Sequence, residues 1–295
     1  MIRSILSNNR AMLVFAVLFG LVGVVASVSV HDFAWFCPRI ALLGAGDRYC
    51  GEPAPEACDA CVAAMGSYLN ETIATAALIA RSAEILVAAR RVIAPSGDAA
   101  ARMTRHFPGL PIAVVPHDDD DAIDPPPPSR LAAGPVRICV VGGIGLHKGF
   151  FVLLACARDA ARRRLKLEFT VVGSTIDDRA LLDTGRVFVT GPYQPEEAVT
   201  LIRAQDAAMG FVPSICPETW CLVLTELWRA GLRAAAFDIG APADRIRQTG
   251  HGIVLPVAYG ASAINDALIA AARGRSLLPI RRSSAYKPPH ECNPE

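Results

Sequence analysis

The sequence predicts an α/β protein whose second half is a doubly wound parallel sheet. Residues 135–273 alternate short apolar β segments with helical segments through short connections, which is typical of parallel strands covered by helices on both faces. Two of the strand segments are closely followed by glycine, at Gly173 and Gly191. The composition agrees, since 52% hydrophobic residues with only 6% aromatics favour an Ala/Val/Leu-rich α/β protein.

Apolar runs predict the strands of this half, and three- and four-residue apolar spacings predict its helices. The strands are expected at 136–141, 167–172, 187–189, 207–212, 234–237 and 252–255. The helices are expected at 149–163, 195–204, 220–230, 243–249 and 264–273. Because ligands bind beyond the carboxyl ends of such strands, we expect the functional site in the loops that follow them.

The first half is predicted to contain fewer regular elements. Its strands are expected at 24–30, 92–94 and 110–115, and its helices at 67–91 and 96–106. Ser96 is a good helix N-cap. Residues 31–62 hold glycine, proline and four cysteines and are predicted to be irregular.

The chain divides into five predicted parts. They are an apolar segment at 1–30, a partial domain with a Cys-rich insert at 31–117, a linker at 118–134, a second domain at 135–273 and a tail at 274–295. The linker contains four aspartates at 118–121 and four prolines at 125–128, which predict a stiff, solvated connection. The alternative is an external loop within one domain.

The apolar segment has two interpretations. Residues 11–30 carry no charge and follow Arg3 and Arg10, so this stretch is long enough to anchor the chain in a membrane. Alternatively, residues 11–20 form a buried helix, and the valines of 24–30 form a buried strand. We therefore expect a cytoplasmic protein, with membrane association through 11–30 as the alternative. The net charge of +1 gives no reason to expect nucleic acid as a partner.

Glu218 and Glu226 are the most informative residues. Glu218 lies in a Pro-rich loop and Glu226 lies eight positions later in an apolar helical pattern, which predicts carboxylates ~12 Å apart along one helix. The free N–H groups at a helix start bind diphosphates, so the two carboxylates could hold the sugar and ribose hydroxyls of a nucleotide-sugar. The separation is too large for the carboxylate pair of a glycoside hydrolase. Ordinary surface helix residues are the alternative, although a carboxylate in an apolar stretch is costly without a partner.

A glycine-rich turn after the first strand of this half is the second candidate. Gly143 and Gly145 would let a phosphate approach the backbone, and Lys148 would supply positive charge at the helix start before Gly149. The spacing is not that of a P-loop, and no acidic residue ends the next strand as in a dinucleotide site. The alternative is a tight turn with a solvated lysine.

Four cysteines in the first half suggest a metal site. Cys37, Cys50, Cys58 and Cys61 have the spacing C-x12-C-x7-C-x2-C, and four thiolates suit a structural zinc. Disulfides and unbonded thiols are the alternatives. Five of the nine cysteines are scattered, which favours a reducing compartment. His31, at the end of the Val-rich strand, is either a catalytic residue at an interdomain cleft or a strand cap.

These features together resemble the family 4 retaining glycosyltransferases, whose GT-B fold has two Rossmann-type domains. The resemblance rests on Glu-x7-Glu at Glu218 and Glu226, on Lys148 with Gly149, and on residues 237–242. It is strong over 135–273 and weaker before residue 118. It implies a GT-B-like α/β fold whose N-terminal Rossmann-type domain is incomplete, because the usual opening strands are missing.

The resemblance also implies roles for individual residues. Lys148 would neutralise the departing nucleotide diphosphate, while Glu218 would hold hydroxyls of the donor sugar and Glu226 those of the ribose. The backbone amides of Cys221 and Leu222 would bind phosphate. His31 would face the reacting sugar.

The implied activity is retaining transfer of a sugar from a nucleotide-sugar to a hydroxyl, in bacterial-type polysaccharide or glycoconjugate synthesis. The acceptor would be a glycan or lipid-linked molecule, and no catalytic metal is expected. The sequence departs from the family in two ways. Family members often carry an arginine a few residues before the lysine, but Gly143 or a neighbour occupies that place here. The acceptor-side domain is also short. The alternatives are therefore a catalytically impaired nucleotide-sugar-binding remnant and a membrane-anchored zinc-knuckle module.

Overall fold

A computed structural model of the protein describes residues 27–44, 48–69, 71–127 and 134–274. These residues form two parallel β-sheets, one of three strands and one of six. The smaller sheet contains β1 (Ser27–Ser29), β2 (Arg91–Ala94) and β3 (Ile112–Val114). The larger sheet contains β4 (Val136–Ile144), β5 (Leu167–Thr175), β6 (Val187–Val189), β7 (Met209–Val212), β8 (Ala234–Phe237) and β9 (Gly252–Leu255). The predicted α/β architecture with parallel sheets is confirmed.

Nine α-helices connect the strands within the described residues. In the first half they are α1 (Pro55–Met65), α2 (Thr75–Ala88) and α3 (Gly97–His106). In the second half they are α4 (Phe150–Arg162), α5 (Asp178–Leu182), α6 (Ala198–Ala204), α7 (Leu222–Arg229), α8 (Gly240–Thr249) and α9 (Ala261–Ala272). The helix predicted at 11–20, the start of the strand predicted at 24–30 and residues 275–295 of the tail lie outside the described residues.

The larger sheet is buried on both faces. Its central strand β4 alternates its side chains, so that Ile138 and Val140 enter the core covered by α4 and α9. Cys139 and Val141 enter the opposite core, which includes residues of α7. This two-sided burial follows from the period of two along a strand, and it explains why the strand segments of this half are almost continuously apolar.

The strand order of the larger sheet places the ligand-binding crevice. The order is β6-β5-β4-β7-β8-β9, so the chain runs outward from β4 in one direction and later restarts from β7 in the other. In this doubly wound order the crevice opens at the carboxyl ends of the two central strands, where the connections diverge. The loops after β4 and β7 are the ones that carry Lys148 and Glu218.

The first half of the chain contains a helix that the sequence analysis missed. Residues 31–62 were predicted to be irregular, but α1 begins at Pro55, with Glu56 in its first turn. Both are favourable at a helix start, because proline lacks the N–H that would be unpaired there and a carboxylate interacts with the helix dipole. Asp59 on α1 accepts a hydrogen bond from Thr75 N at 2.7 Å. The helix predicted at 67–91 consequently begins only at Thr75.

A buried carboxylate joins the Cys-rich insert to helix α3. The side chain of Glu52 is only 3% exposed. It accepts hydrogen bonds from Tyr49, Arg102, Arg105 and His106. Burial alone would raise the pKa of Glu52, but these hydrogen bonds and the charge of Arg102 lower it to about 2.

Glu52 should therefore make the protein sensitive to acid. A carboxyl whose pKa is lower in the folded state stabilises the fold above its ordinary pKa of 4.5 and loses this contribution as the pH falls towards 2. We expect Glu52→Gln to lower the free energy of unfolding at pH 7 by about 3 kcal/mol and to flatten its dependence on pH below 4.5. Urea unfolding between pH 3 and 7 measures both. The exposed Glu56 on α1 gives the control Glu56→Gln, and equal acid sensitivity in the two variants would refute the assignment.

The start of the linker differs from the prediction. Asp118 accepts hydrogen bonds from three side chains of the C-terminal domain, namely Trp220, Thr225 and Arg229. Asp120 forms an ion pair with Arg245 at 2.5 Å. The prediction of a solvated linker is therefore wrong for these two aspartates, because basic and polar side chains of the C-terminal domain compensate their charges. Within the part of the chain that is described, no helix is both long enough and apolar enough to cross a membrane.

Candidate functional site

Two loops come together at the carboxyl ends of β4 and β7. The backbone N–H of Ile215 donates to the carbonyl of His147 at 3.1 Å, which joins the loop after β7 to the loop after β4. Gly149 lies directly against the second loop, since a Cβ added there would be 2.0 Å from the carbonyl oxygen of Pro213. The close approach fixes the positions of the residues just before Gly149 and just after Pro213.

Lys148 and Glu218 meet between these loops. Lys148 Nζ donates to Glu218 Oε2 at 2.6 Å, and the hydroxyl of Ser214 donates to the other carboxylate oxygen. Burial would raise the pKa of Glu218, but the charge of Lys148 and the hydrogen bonds from Lys148 and Ser214 lower it. Burial would likewise lower the pKa of Lys148, but Glu218 raises it. Both side chains are therefore charged at neutral pH.

The loop with Glu218 rests on the start of α8. The N–H of Ala241 donates to the carbonyl of Glu218 at 3.0 Å. A Cβ at Gly240 would be 2.6 Å from the Glu218 nitrogen, so only glycine allows this approach. The glycine lies in the segment 237–242, which the sequence analysis singled out without a structural reason.

Helix α7 begins two residues later than predicted. Its N-cap is Cys221, with φ of +76°, and its first residue is Leu222. Glu218 consequently lies in the loop before the helix, and Glu226 is about one turn, or ~6 Å, from the helix start. The estimate of ~12 Å along a single helix does not apply. The first N–H groups of α7, including that of Leu222, have no partner within the helix, and Leu222 is exposed.

Glu226 has an unusual environment. Its Oε2 atom is buried and has no hydrogen-bond partner among the described residues. Burial raises the pKa of Glu226; Arg229 opposes this effect and Asp118 adds to it. Burial, together with the nearby charge of Glu226, raises the pKa of Tyr193 to about 12. A buried carboxylate oxygen without a partner costs free energy.

The glycine-rich turn is shorter than predicted. Strand β4 extends to Ile144, so Gly143 is paired with Ser174 within the sheet. Gly145 follows the strand and accepts a hydrogen bond from the N–H of Phe150 at 3.2 Å. His147 lies between Gly145 and Lys148, and its pKa is lowered by burial and by the charge of Lys148.

His31 lies where the smaller sheet meets the loop of Glu218. Its carbonyl accepts a hydrogen bond from Thr219 Oγ1 at 2.9 Å, which links the end of β1 to the loop of Glu218. Its ring stacks on His117, with centroids 5.6 Å apart and planes at 19°. The sequence analysis gave His117 no role, and only the folded chain brings the two rings together. Burial and the neighbouring His31 lower the pKa of His117.

The structure brings the four cysteines of the predicted zinc site near one another. Cys37, Cys50, Cys58 and Cys61 are free thiols, and no group of three or more His, Cys, Asp or Glu side chains in the described ranges is placed to hold a metal ion. Burial raises the pKa of Cys50 to about 11 and that of Cys58 to about 12, and the neighbouring cysteines of the set add to both shifts. The four thiols are therefore near one another, and zinc binding by them stays a prediction.

Comparison with known families agrees with this geometry. Residues 135–273 match the profile of the family described as "Glycosyl transferases group 1". The match covers the whole larger sheet, both loops at its crevice and helices α4 to α9. No curated protein sequence matches the chain.

Solved structures share the fold at low sequence identity. HepE from Anabaena, whose structure contains UDP, has a TM-score of 0.59 and 13% identity over 90% of this chain and 69% of its own. TarM has a TM-score of 0.52 and 15% identity over 67% of this chain and 39% of its own. The sucrose-phosphate synthase of Thermosynechococcus elongatus has a TM-score of 0.50 and 20% identity over 65% and 51%. The chain therefore spans between two fifths and about two thirds of the length of these structures.

Proposed function

We propose that the chain, whose residues 135–273 match the group 1 glycosyltransferase profile, transfers a sugar, with retention, from a UDP-sugar to an acceptor hydroxyl. The donor is inferred from the domain family and from HepE, a structural neighbour described with UDP. The acceptor that we propose is a glycan or lipid-linked molecule in polysaccharide or glycoconjugate synthesis. The proposal covers the class of donor and the type of reaction.

The Lys148–Glu218 pair carries this proposal. A buried carboxylate with a lysine 2.6 Å away lies at the switch point of a doubly wound sheet, beside the start of α7. Because negative charge develops on the diphosphate as the bond to the sugar breaks, a fixed lysine and the helix N–H groups would stabilise it. Glu218 can then hold hydroxyls of the sugar, since a carboxylate accepts several hydrogen bonds.

Glu226 would bind the other end of the donor. The side chain of Glu226 is partly exposed, so its carboxylate could accept hydrogen bonds from the two ribose hydroxyls after a rotation that brings the buried Oε2 atom to the crevice. The amides at Cys221 and Leu222 lie between the two glutamates and would contact the diphosphate. Gly143 and Gly145 would line the same crevice from the β4 side.

His31 would face the sugar that is transferred. It is attached to the donor loop through Thr219 and belongs to the smaller sheet, so it lies at the boundary where an acceptor from the N-terminal side would arrive. We propose that it contacts the sugar or the acceptor hydroxyl. A His31→Ala variant that retains donor binding but loses transfer would support this role.

Donor binding and transfer can be tested separately. Calorimetry with UDP, UDP-glucose and UDP-N-acetylglucosamine tests binding, and release of UDP in the presence of a cell-derived glycan or lipid acceptor fraction tests transfer. We expect binding of at least one UDP compound and UDP release that depends on the acceptor. Binding without transfer would instead favour an impaired nucleotide-sugar-binding protein, and absence of binding would refute the proposal.

Glu226→Gln should separate binding from stability. Loss of a charged hydrogen-bond acceptor should weaken UDP binding by about 10- to 100-fold. Because the pKa of Glu226 is raised in the folded protein, its ionisation destabilises the fold above the ordinary pKa, so the variant should unfold at a slightly higher temperature at pH 7. Calorimetry and thermal unfolding measure the two effects. Glu196 is exposed, and Glu196→Gln should change neither; equal UDP affinity in both variants would contradict the role of Glu226.

A further inference from the structure

Arg245 on α8 uses every N–H of its guanidinium group. Nε and Nη2 donate to the two carboxylate oxygens of Asp120 at 2.7 and 2.5 Å. Nη1 donates to the carbonyls of Trp220 and Cys221 at 3.0 and 2.8 Å. The remaining N–H of Nη2 donates to Thr225 Oγ1 at 2.7 Å. Five donors in a planar fork are specific to arginine, and lysine cannot reproduce this set.

The guanidinium is also fixed by aromatic rings. Its central carbon lies 3.8 Å from the ring centroid of Trp220 and 5.1 Å from that of Trp228. The residue is only 2% exposed. A cation that is desolvated over a tryptophan face gains more than an exposed one, so Arg245 is held in a single position.

Arg245 holds a backbone turn that would be unfavourable by itself. Cys221 has φ of +76°, a region that costs a non-glycine residue free energy unless its surroundings impose it. The carbonyl of Cys221 and the one before it are the two that Arg245 binds. The turn leads directly into α7, so its geometry sets the direction of the first N–H groups of that helix. It also follows Glu218 by three residues.

The same side chain connects this turn to the interdomain linker. Asp120 is the linker residue that pairs with Arg245, and Asp118 binds Trp220 Nε1 at 3.3 Å from the same segment. Trp220 in turn contacts His117, with ring centroids 6.0 Å apart at 73°. A continuous set of contacts therefore runs from the linker, through Arg245 and Trp220, to the histidines at the domain boundary.

We propose that Arg245 is a positioning residue for the donor-binding turn, with Asp120 holding its guanidinium in place. Arg245 would act through the backbone of residues 220–221, and would itself touch neither the diphosphate nor the sugar. It would also couple the position of the linker to the geometry of the phosphate-binding amides. The inference rests on the proposed function for its consequence, because donor binding is what the turn would serve.

Hydrogen exchange tests the positioning role without any ligand. In Arg245→Lys the charge remains but the two carbonyl hydrogen bonds and the fork to Asp120 are lost. We expect backbone amides of residues 216–224 to exchange about 10-fold faster in the ligand-free variant, while the strands of the larger sheet keep their protection. UDP affinity should fall by at least about 10-fold, because the turn must be ordered again on binding.

Arg247 provides a control on the same helix. It is half exposed and pairs with Asp238 at 2.5 Å, away from the turn, so Arg247→Lys should leave both the exchange of 216–224 and UDP affinity unchanged. Asp120→Asn offers a milder second variant, for which we expect faster exchange in the same segment and weaker UDP binding. It keeps the proposal testable if Arg245→Lys does not fold.

The outcomes separate this inference from the proposed function. Unchanged exchange of 216–224 in Arg245→Lys, or in Asp120→Asn where the first variant does not fold, would overturn the positioning role even if the wild-type protein binds UDP. Faster exchange confined to this segment would support the role even if no UDP compound binds the wild-type protein, in which case only the proposed function fails. Faster exchange throughout the domain would mean that Arg245 is a general stability residue, and would overturn the inference.

Discussion

Lys148→Met should reduce sugar transfer by at least about 100-fold, because it removes the positive charge that would face the departing diphosphate. The expected effect on stability is separate and has a different origin. Glu218 is 11% exposed and loses its ion-pair partner at 2.6 Å, so an uncompensated carboxylate remains in the crevice. For a pair in which the lysine is one-third exposed, we expect a loss of about 2 kcal/mol in the free energy of unfolding.

A double variant distinguishes the two effects. Lys148→Met with Glu218→Gln removes both charges, and the carbonyl oxygen of the new side-chain amide would still be able to accept the hydrogen bond from Ser214. We expect the free energy of unfolding to recover towards the wild-type value while transfer remains at least ~100-fold below it. Urea unfolding and UDP release from the same preparations provide the comparison.

The chain offers a matched control for the lysine. Lys166 is exposed at the opposite end of the sheet, just before β5, and Lys166→Met should change neither property. If Lys148→Met folds and transfers sugar within threefold of the wild-type protein, then Lys148 does not neutralise the diphosphate. Recovery of transfer in the double variant would show that only stability had been affected.

The larger sheet could be predicted because each of its signals is local. Strands β6, β8 and β9 have the predicted bounds, since each is a short apolar run between turn residues. The last residues of β8 and β9, Phe237 and Leu255, are buried in the same core. The pairing of Lys148 with Glu218 could be anticipated for a related reason. Both residues follow strands of a parallel sheet, and the carboxyl ends of such strands share one edge.

The remaining contacts depend on distant parts of the chain and leave no local signal. Asp120 and Arg245 are 125 residues apart, and a run of aspartates next to prolines is ordinarily a solvated segment. His31 and His117 meet only because β1 and β3 run in the same direction, so the segments that follow them leave the same edge of the smaller sheet. The zinc prediction depends on the same kind of information, because the uneven spacing of the four cysteines does not determine how their thiols are oriented in the folded chain.

Gly149→Ala should be the most destabilising single substitution in the site. Gly149 has φ of +82°, and an added Cβ would lie 2.0 Å from the Pro213 carbonyl oxygen and 2.9 Å from the Pro213 Cβ. Backbone atoms cannot move aside as a flexible side chain can, so the loop after β7 must shift. We expect a loss of about 3 kcal/mol or more in the free energy of unfolding. Since that loop carries Glu218, UDP binding should be lost in any protein that remains folded.

Gly109→Ala isolates the steric part of this effect. Gly109 has φ of +80°, almost the same as Gly149, but a Cβ there would meet no atom within 4 Å. Its substitution should therefore cost only the ~1–2 kcal/mol of the left-handed conformation and leave UDP binding unchanged. Urea unfolding gives the difference between the two variants, which measures how tightly the loops after β4 and β7 are packed. Equal losses would mean that the loop after β7 moves freely, and the crevice would then not be held in a fixed geometry by this contact.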